Sequence, residues 1–369
     1  MILQAQKHIF PLCFALILLA FLILFPRQAA QGIEAGLLCC AHQLIPALFP
    51  FLVVSDLAMT TCLARWLGIL FLPYTRYILR IKSSCAAGIL PLSFFGGFSV
   101  CAGLISQLYL QQEISRRDAQ VLLLCCAGSG AGFVINTVGL MMLDSRKIGV
   151  FLFIALVSAN LCCGLFASLL WKPSCEKTSL GTSAPSCPHG GIVEAIQRST
   201  HSMLIICGFV VFFSFLSACL KAVVKAEFPQ FIFSAFLEVT NACQISTGLA
   251  RACPIYCCCF ALSILSLSVF LQIRALLNQD IPLLPLFCSR PFHLLLSFAF
   301  FKLLLFISPV AAPVLSTMQG RLILRSRLMP DSAFVLFMLC CAVLHFTSHG
   351  QWAIMFKKQN SPPPQRSDS

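Results

Sequence analysis

Charge is scarce in this sequence. Asp, Glu, Lys and Arg make up 10% of its 369 residues, against 59% hydrophobic residues and a mean hydropathy of +0.92. A soluble domain of this length cannot bury that much apolar surface, so a soluble globular protein is excluded and an integral membrane protein is expected. Two absent motifs narrow the chemistry. Neither His-Glu-x-x-His nor the P-loop pattern occurs, so no motif supplies a metal hydrolase or a nucleotide engine. The expectation is therefore no enzyme, with no catalytic residue, no metal and no cofactor. No clean Ala-x-Ala site follows the first apolar run, "HIFPLCFALILLAFLILFPRQAAQG", and the residues before it are only weakly basic. An uncleaved first helix is favoured over a signal peptide.

What the sequence does contain is a series of apolar segments, near 9–25, 37–59, 148–171, 202–220, 253–273, 291–311 and 332–348. Each approaches the roughly 20 residues needed to cross hydrocarbon. The fold class is read as all-α, a polytopic transmembrane helix bundle in the cell membrane, with the lipid bilayer as its first partner. The net charge of +13 is spread over short connections rather than gathered on one domain, which argues for topology signals and lipid phosphate contacts, and against nucleic acid. Both candidate sides carry positive charge: Arg65, Arg76, Arg80 and Lys82 in one connection, Lys357 and Lys358 near the end. The connection with Arg321, Arg325 and Arg327 is assigned to the cytoplasm.

The 22 cysteines lie almost entirely inside apolar segments, as in Cys39-Cys40, Cys125-Cys126, Cys162-Cys163 and Cys257 to Cys259. Adjacent helical residues point about 100° apart, so these runs read as small apolar residues rather than metal clamps. Cys175, Cys187 and His189, in a Ser- and Pro-rich connection, are the exception that could pair or hold a metal.

That connection, 172–193, divides the chain. The expected organisation is a first helix at 1–30, a first membrane half at 31–171, the polar connection, a second half at 194–350 and a disordered tail at 351–369. The halves look like pseudo-repeats. Glu34-Ala35 and Glu194-Ala195 open matching stretches, and at the same offset Leu44-Ile45 meets Leu204-Ile205 and Phe49 meets Phe209. Each half then continues with apolar segments interrupted by small or polar residues: "LPLSFFGGFSVCAGLISQLYL" and "LLLCCAGSGAGFVINTVGLMML" in the first, "FPQFIFSAFLEVTNACQISTGLA" and "CCCFALSILSLSVFLQIRALL" in the second. Irregular backbone at membrane depth is tolerated only inside protein or beside a wet cavity, so interrupted or re-entrant helices in corresponding places point to a binding site between the halves. The alternative for Gly128 and Gly132 is close helix packing at Gly-x-x-x-Gly spacing.

Ionisable and amide side chains at membrane depth are expensive and usually face the bundle interior. Glu238, with Thr240 and Asn241, is the sharpest candidate. Asn136, Gln272 and Arg274 could line the same cavity, Asp56 could mark a helix end, and Lys302 and His293 are read as snorkelling or satisfying neighbouring helices. The substrate-binding hypothesis comprises Gly96, Gly97, Ser99, Gly128, Ser129, Gly130, Asn136, Glu238, Thr240, Asn241 and Gln272.

The stretch from Gly96 to Leu143, with "LIPALFPFLVVSDL", "FLEVTNACQ" and "LSLSVFLQI", resembles the YlbJ family of sporulation integral membrane proteins, which belongs with membrane proteins carrying nucleoside-recognition "Gate" domains. The likeness runs from about residue 34 to 310. Where the family usually shows Gly-Gly-Tyr-Pro-x-Gly-Ala, this chain reads Gly96-Gly97-Phe98-Ser99-Val100-Cys101-Ala102. It has Ser129-Gly130-Ala131 in place of a Gly-Pro pair, and Thr240-Asn241-Ala242 in place of Thr-Asn-Gly. Such replacements permit more regular helices. The resemblance implies a role in spore formation. Two functions are carried forward: a transporter or permease-like protein that binds or moves a small polar solute, and a non-transporting scaffold for spore envelope or cortex assembly. Partners left open are a second copy of the chain and other sporulation membrane proteins.

Overall fold

The computed structural model describes residues 2–60, 63–171, 191–249 and 253–308, and every element among them is a helix. In lipid a chain must satisfy its backbone polar groups within itself, which long apolar runs do by staying helical. Among the described residues, six helices are long and apolar enough to cross a membrane: Pro26–Ala58, Cys85–Leu110, Arg146–Leu170, Ile192–Val223, Pro254–Leu276 and Leu284–Ile307. The segment 332–348, the tail, the connection bearing Cys175, Cys187 and His189, and the Arg321 connection lie outside the described residues.

The first helix, α1 (Ile2–Leu24), stops before Pro26, the first residue of α2 (Pro26–Cys39), where a missing amide costs nothing. The division expected at residue 30 therefore falls inside α2. A wide turn, Cys40–Leu44, joins α2 to α3 (Ile45–Thr60) just ahead of Pro46, whose lack of an amide removes one rung of the ladder there. A short α4 (Leu63–Gly68) leads towards α5 (Cys85–Leu110), then α6 (Arg116–Cys126), a wide helix Gly132–Met142, and α7 (Arg146–Leu170). Ser115 and Asp118 form a capping box that fixes the start of α6.

The second half repeats this order. A long leading helix, α8 (Ile192–Val223), is followed by the broken pair α9 (Glu227–Leu237) and α10 (Val239–Ser246). A second broken pair, α11 (Pro254–Ile264) and α12 (Leu267–Leu276), precedes the closing helix α13 (Leu284–Ile307). The leading helices of the two halves pack against each other in opposite directions. Gly32 lies against Phe215 and Ala218, Gly36 against Val211 and Ser214, and Cys40 against Cys207. Further along, Arg198 grips Asp56 with Nη2 to Oδ2 at 2.7 Å and Nε to Oδ2 at 2.9 Å. Asp56 thus ties α3 to α8. Because the matching stretches after Glu34 and Glu194 run antiparallel, the two leading helices stand inverted relative to one another. A Cβ on Gly32 or Gly36 would come within 2.6 or 2.8 Å of α8, so glycine is what lets these backbones approach.

Candidate functional site

Helices in both halves are interrupted, and the causes differ. In α5 the break is Gly97, at φ 79° and ψ −168°, a conformation cheap only for glycine. The next break spans residues 127–131, between α6 and the wide helix. These two breaks touch backbone to backbone: a Cβ on Gly97 would sit 2.8 Å from the Gly130 nitrogen, and one on Gly130 would sit 2.6 Å from the Phe95 carbonyl oxygen. Gly97 and Gly130 are therefore kept by a crossing of two unwound segments. Despite the missing family proline and glycine, the helices remain broken.

In the second half, α9 and α10 are separated by Glu238 in extended conformation, φ −152° and ψ 125°. Its carboxylate caps α10, accepting from the Asn241 amide at 2.7 Å, and the side chain is 2% exposed. The break between α11 and α12 is at Leu265 and Ser266, where the Ser266 hydroxyl accepts from the Val269 amide at 3.4 Å. On the other side of this break, His293 of α13 places Nδ1 3.1 Å from the Ser263 carbonyl oxygen. His293 thus satisfies a neighbouring helix end, whereas Lys302 is exposed.

Three of the breaks, and the helix that follows the fourth, line one small pocket. Gly96, Gly97, Phe98 and Ser99 come from the first break, and Ser129, Gly130 and Phe133 from the second. Glu238, Val239 and Thr240 come from the third, and Val269 and Gln272 from the helix that follows the fourth. Leu44 and Leu48 of α2–α3 and Ile206 and Val210 of α8 form an apolar wall. Each break is followed by a helix start, whose N-terminal amides carry partial positive charge. Glu238 is the one carboxylate in the lining. Gln272 is 2% exposed; its Nε2 donates to Ser268 Oγ at 2.9 Å, and its Oε1 has no partner.

Eight of the residues singled out in the sequence line the pocket: Gly96, Gly97, Ser99, Ser129, Gly130, Glu238, Thr240 and Gln272. Three do not. Gly128 packs against Asn160, whose Nδ2 would be 2.5 Å from an added Cβ. Asn136 is exposed on the outside of the wide helix, because its position on that helix turns it away from the crossing. Asn241 lends its amide nitrogen to Glu238 but directs its side chain at α8, donating to Ser214 Oγ at 3.1 Å. Arg274 is also elsewhere, donating to the carbonyls of Leu277 at 2.9 Å and Ile281 at 3.0 Å at the end of α12. The packing alternative holds for Gly132, which abuts Ala47 and Phe51 of α3.

Sequence reasoning missed the apolar wall, which no polar residue marks. It also missed Arg290, a residue 4% exposed on α13 whose Nη1 has no partner. No group of three or more His, Cys, Asp or Glu among the described residues could hold a metal.

The pocket built by paired breaks gives the resemblance a physical counterpart, and a curated protein supports it directly. Over 231 residues the chain is 25% identical to the sporulation integral membrane protein YlbJ of Bacillus subtilis (strain 168), covering 57% of this chain and 56% of YlbJ. The chain is similar to the YlbJ family. It spans a little over half the length of that YlbJ relative. No family model matches the chain, and no solved structure matches it. With a YlbJ relative that is itself an integral membrane protein and with six apolar helices of spanning length, the chain is a multi-pass membrane protein.

Proposed function

We propose that this protein serves spore formation as a transporter or permease-like membrane protein that binds or moves a small polar solute at the pocket where helix breaks of both halves meet. One observation carries the reading: unwound backbone from both halves, with Glu238 and the unpartnered Gln272 Oε1, surrounds a single pocket. Broken helices whose N-termini face a shared space are how secondary transporters build sites inside the membrane. An inverted pair of halves also supplies the two bodies that alternating access requires. The sporulation role is drawn from the similarity to YlbJ, and the reading is non-enzymatic, with no cofactor.

The second reading, a non-transporting scaffold for spore envelope or cortex assembly, draws on the backbone contact between Gly97 and Gly130, which locks two segments that a moving site would have to part. Purified protein in liposomes separates the two. Uptake or equilibrium binding from a labelled pool of small polar metabolites is expected for wild type and reduced for Glu238→Gln at equal abundance. No uptake or binding by wild type, together with full rescue of a sporulation defect by Glu238→Gln, would establish the scaffold instead.

A further inference from the structure

Charge in the pocket has one sign. Glu238 is the one carboxylate of the lining, and no Lys, Arg or His stands among the lining residues. The carboxylate accepts from the Asn241 amide at 2.7 Å and from Thr240, bonds that meet its hydrogen-bonding needs but bring no full positive charge. The titratable groups close enough to feel it are thiols: Cys39 and Cys40 from the first leading helix and the turn after it, and Cys243 of α10. A buried carboxylate with no cation beside it is costly, and a positive charge in the pocket relieves that cost. Gln272 adds a second demand. Its Nε2 is spent on Ser268, and its Oε1, in a side chain as buried as Glu238, has no donor. A buried acceptor of this kind calls for an N–H or O–H. The rest of the lining is largely hydrocarbon: Leu44, Leu48, Ile206 and Val210, with Phe98 and Phe133. A metal cation such as calcium or magnesium takes about six or more oxygen ligands, which such a wall does not provide. An alkylammonium joins three N–H donors on one positive nitrogen to a hydrocarbon body, and so answers all three features.

Resting on the transporter reading, we infer that the solute is a small alkylammonium ion, a primary amine with a short apolar chain. Its nitrogen lies against Glu238 and Gln272, and its chain lies on the apolar wall. A solute bearing a carboxylate or phosphate would meet the Glu238 charge with no cation in the lining to hold it. A neutral alcohol of the same shape would serve Gln272 but leave Glu238 without a counter-charge.

Thermal shift and equilibrium binding on the full-length purified protein at neutral pH, with probes of one shape and different charge, test this. Isoamylamine is a cation, isoamyl alcohol is a neutral donor, and isovalerate is an anion. Isoamylamine is expected to bind, isoamyl alcohol to bind more weakly by roughly tenfold or more, as for loss of a charge-assisted hydrogen bond, and isovalerate to bind least. Glu238→Gln keeps the shape and an acceptor but removes the charge, and is expected to abolish most of the preference for amine over alcohol. A purely structural role for Glu238 would lower both affinities and leave their ratio unchanged. Gln272→Leu is expected to weaken amine and alcohol alike, since both lose the same acceptor. Isoamyl alcohol or isovalerate binding wild type as tightly as isoamylamine, or an unchanged amine preference in Glu238→Gln, would overturn the inference while leaving a solute-binding protein. No probe binding while liposomes still take up another solute would overturn the inference alone. No probe binding and no uptake of any solute would remove the transporter reading with it.

Discussion

The two halves interrupt their helices by different means. In the first, glycine does it: Gly97 adopts a positive φ, and Gly130 has no room for a side chain beside the Phe95 carbonyl. In the second, polar side chains do it: Glu238 and Ser266 turn the chain and cap the helices that follow. The first-half breaks cross in backbone contact, where a Cβ is excluded. Each second-half break instead carries a side chain that caps one amide of the helix it opens.

This comparison can be broken at its strongest point first. Gly97→Ala should be the most damaging single change, costing about 2–5 kcal/mol, since overpacking costs about 1–3 kcal/mol and positive φ adds about 1–2 kcal/mol, and Gly130→Ala, with overpacking alone, should cost about 1–3 kcal/mol. Melting of purified protein in detergent measures this. Wild-type stability in either variant would mean the two segments do not touch. Next is Glu238→Ala, which leaves the start of α10 uncapped and should cost about 1–2 kcal/mol. Glu238→Gln keeps an acceptor for the Asn241 amide and should cost less in the same melt. Equal losses for the two variants would show that the charge, not the cap, holds this break. Ser266→Ala should cost about 1 kcal/mol, the usual worth of a hydroxyl cap. Smallest is the tie between the leading helices. Arg198 is 47% exposed, so Asp56→Asn should change stability by no more than about 1 kcal/mol, and by less at high salt. A larger loss, insensitive to salt, would mean that this pair is shielded from water.

Much of this was readable in the sequence because membranes are strict about backbone. Glycine and polar residues inside apolar runs had few explanations, and "GGFS", "GSGAG" and "EVTN" all marked real interruptions. The fourth break was flagged by Ser266 and Ser268, although the residue that turns the chain there is Leu265 at φ 55°, which no propensity would suggest. Asn136 misled because an amide in an apolar run was given the same weight whichever face it occupied, and the face depends on the wide winding of Gly132–Met142. Arg290 and the apolar wall were illegible for opposite reasons. A lone arginine in an apolar run does not announce its burial, and Leu44, Leu48, Ile206 and Val210 look like any lipid-facing residues until the inverted packing of the leading helices places them inside. The repeat that sets this packing shows in few identities, since apolar helices conserve a pattern of size and polarity rather than particular side chains.

The central claim is that breaks from both halves meet at one pocket, and a photocrosslink tests it most directly. Phe133 lies in the first half, is 5% exposed and lines the pocket. With benzoylphenylalanine in its place and the protein in liposomes, irradiation should join residue 133 to peptides of the second half carrying Val239–Thr240 or Val269–Gln272, as read by mass spectrometry. Products confined to lipid and to peptides of the first half would contradict the account.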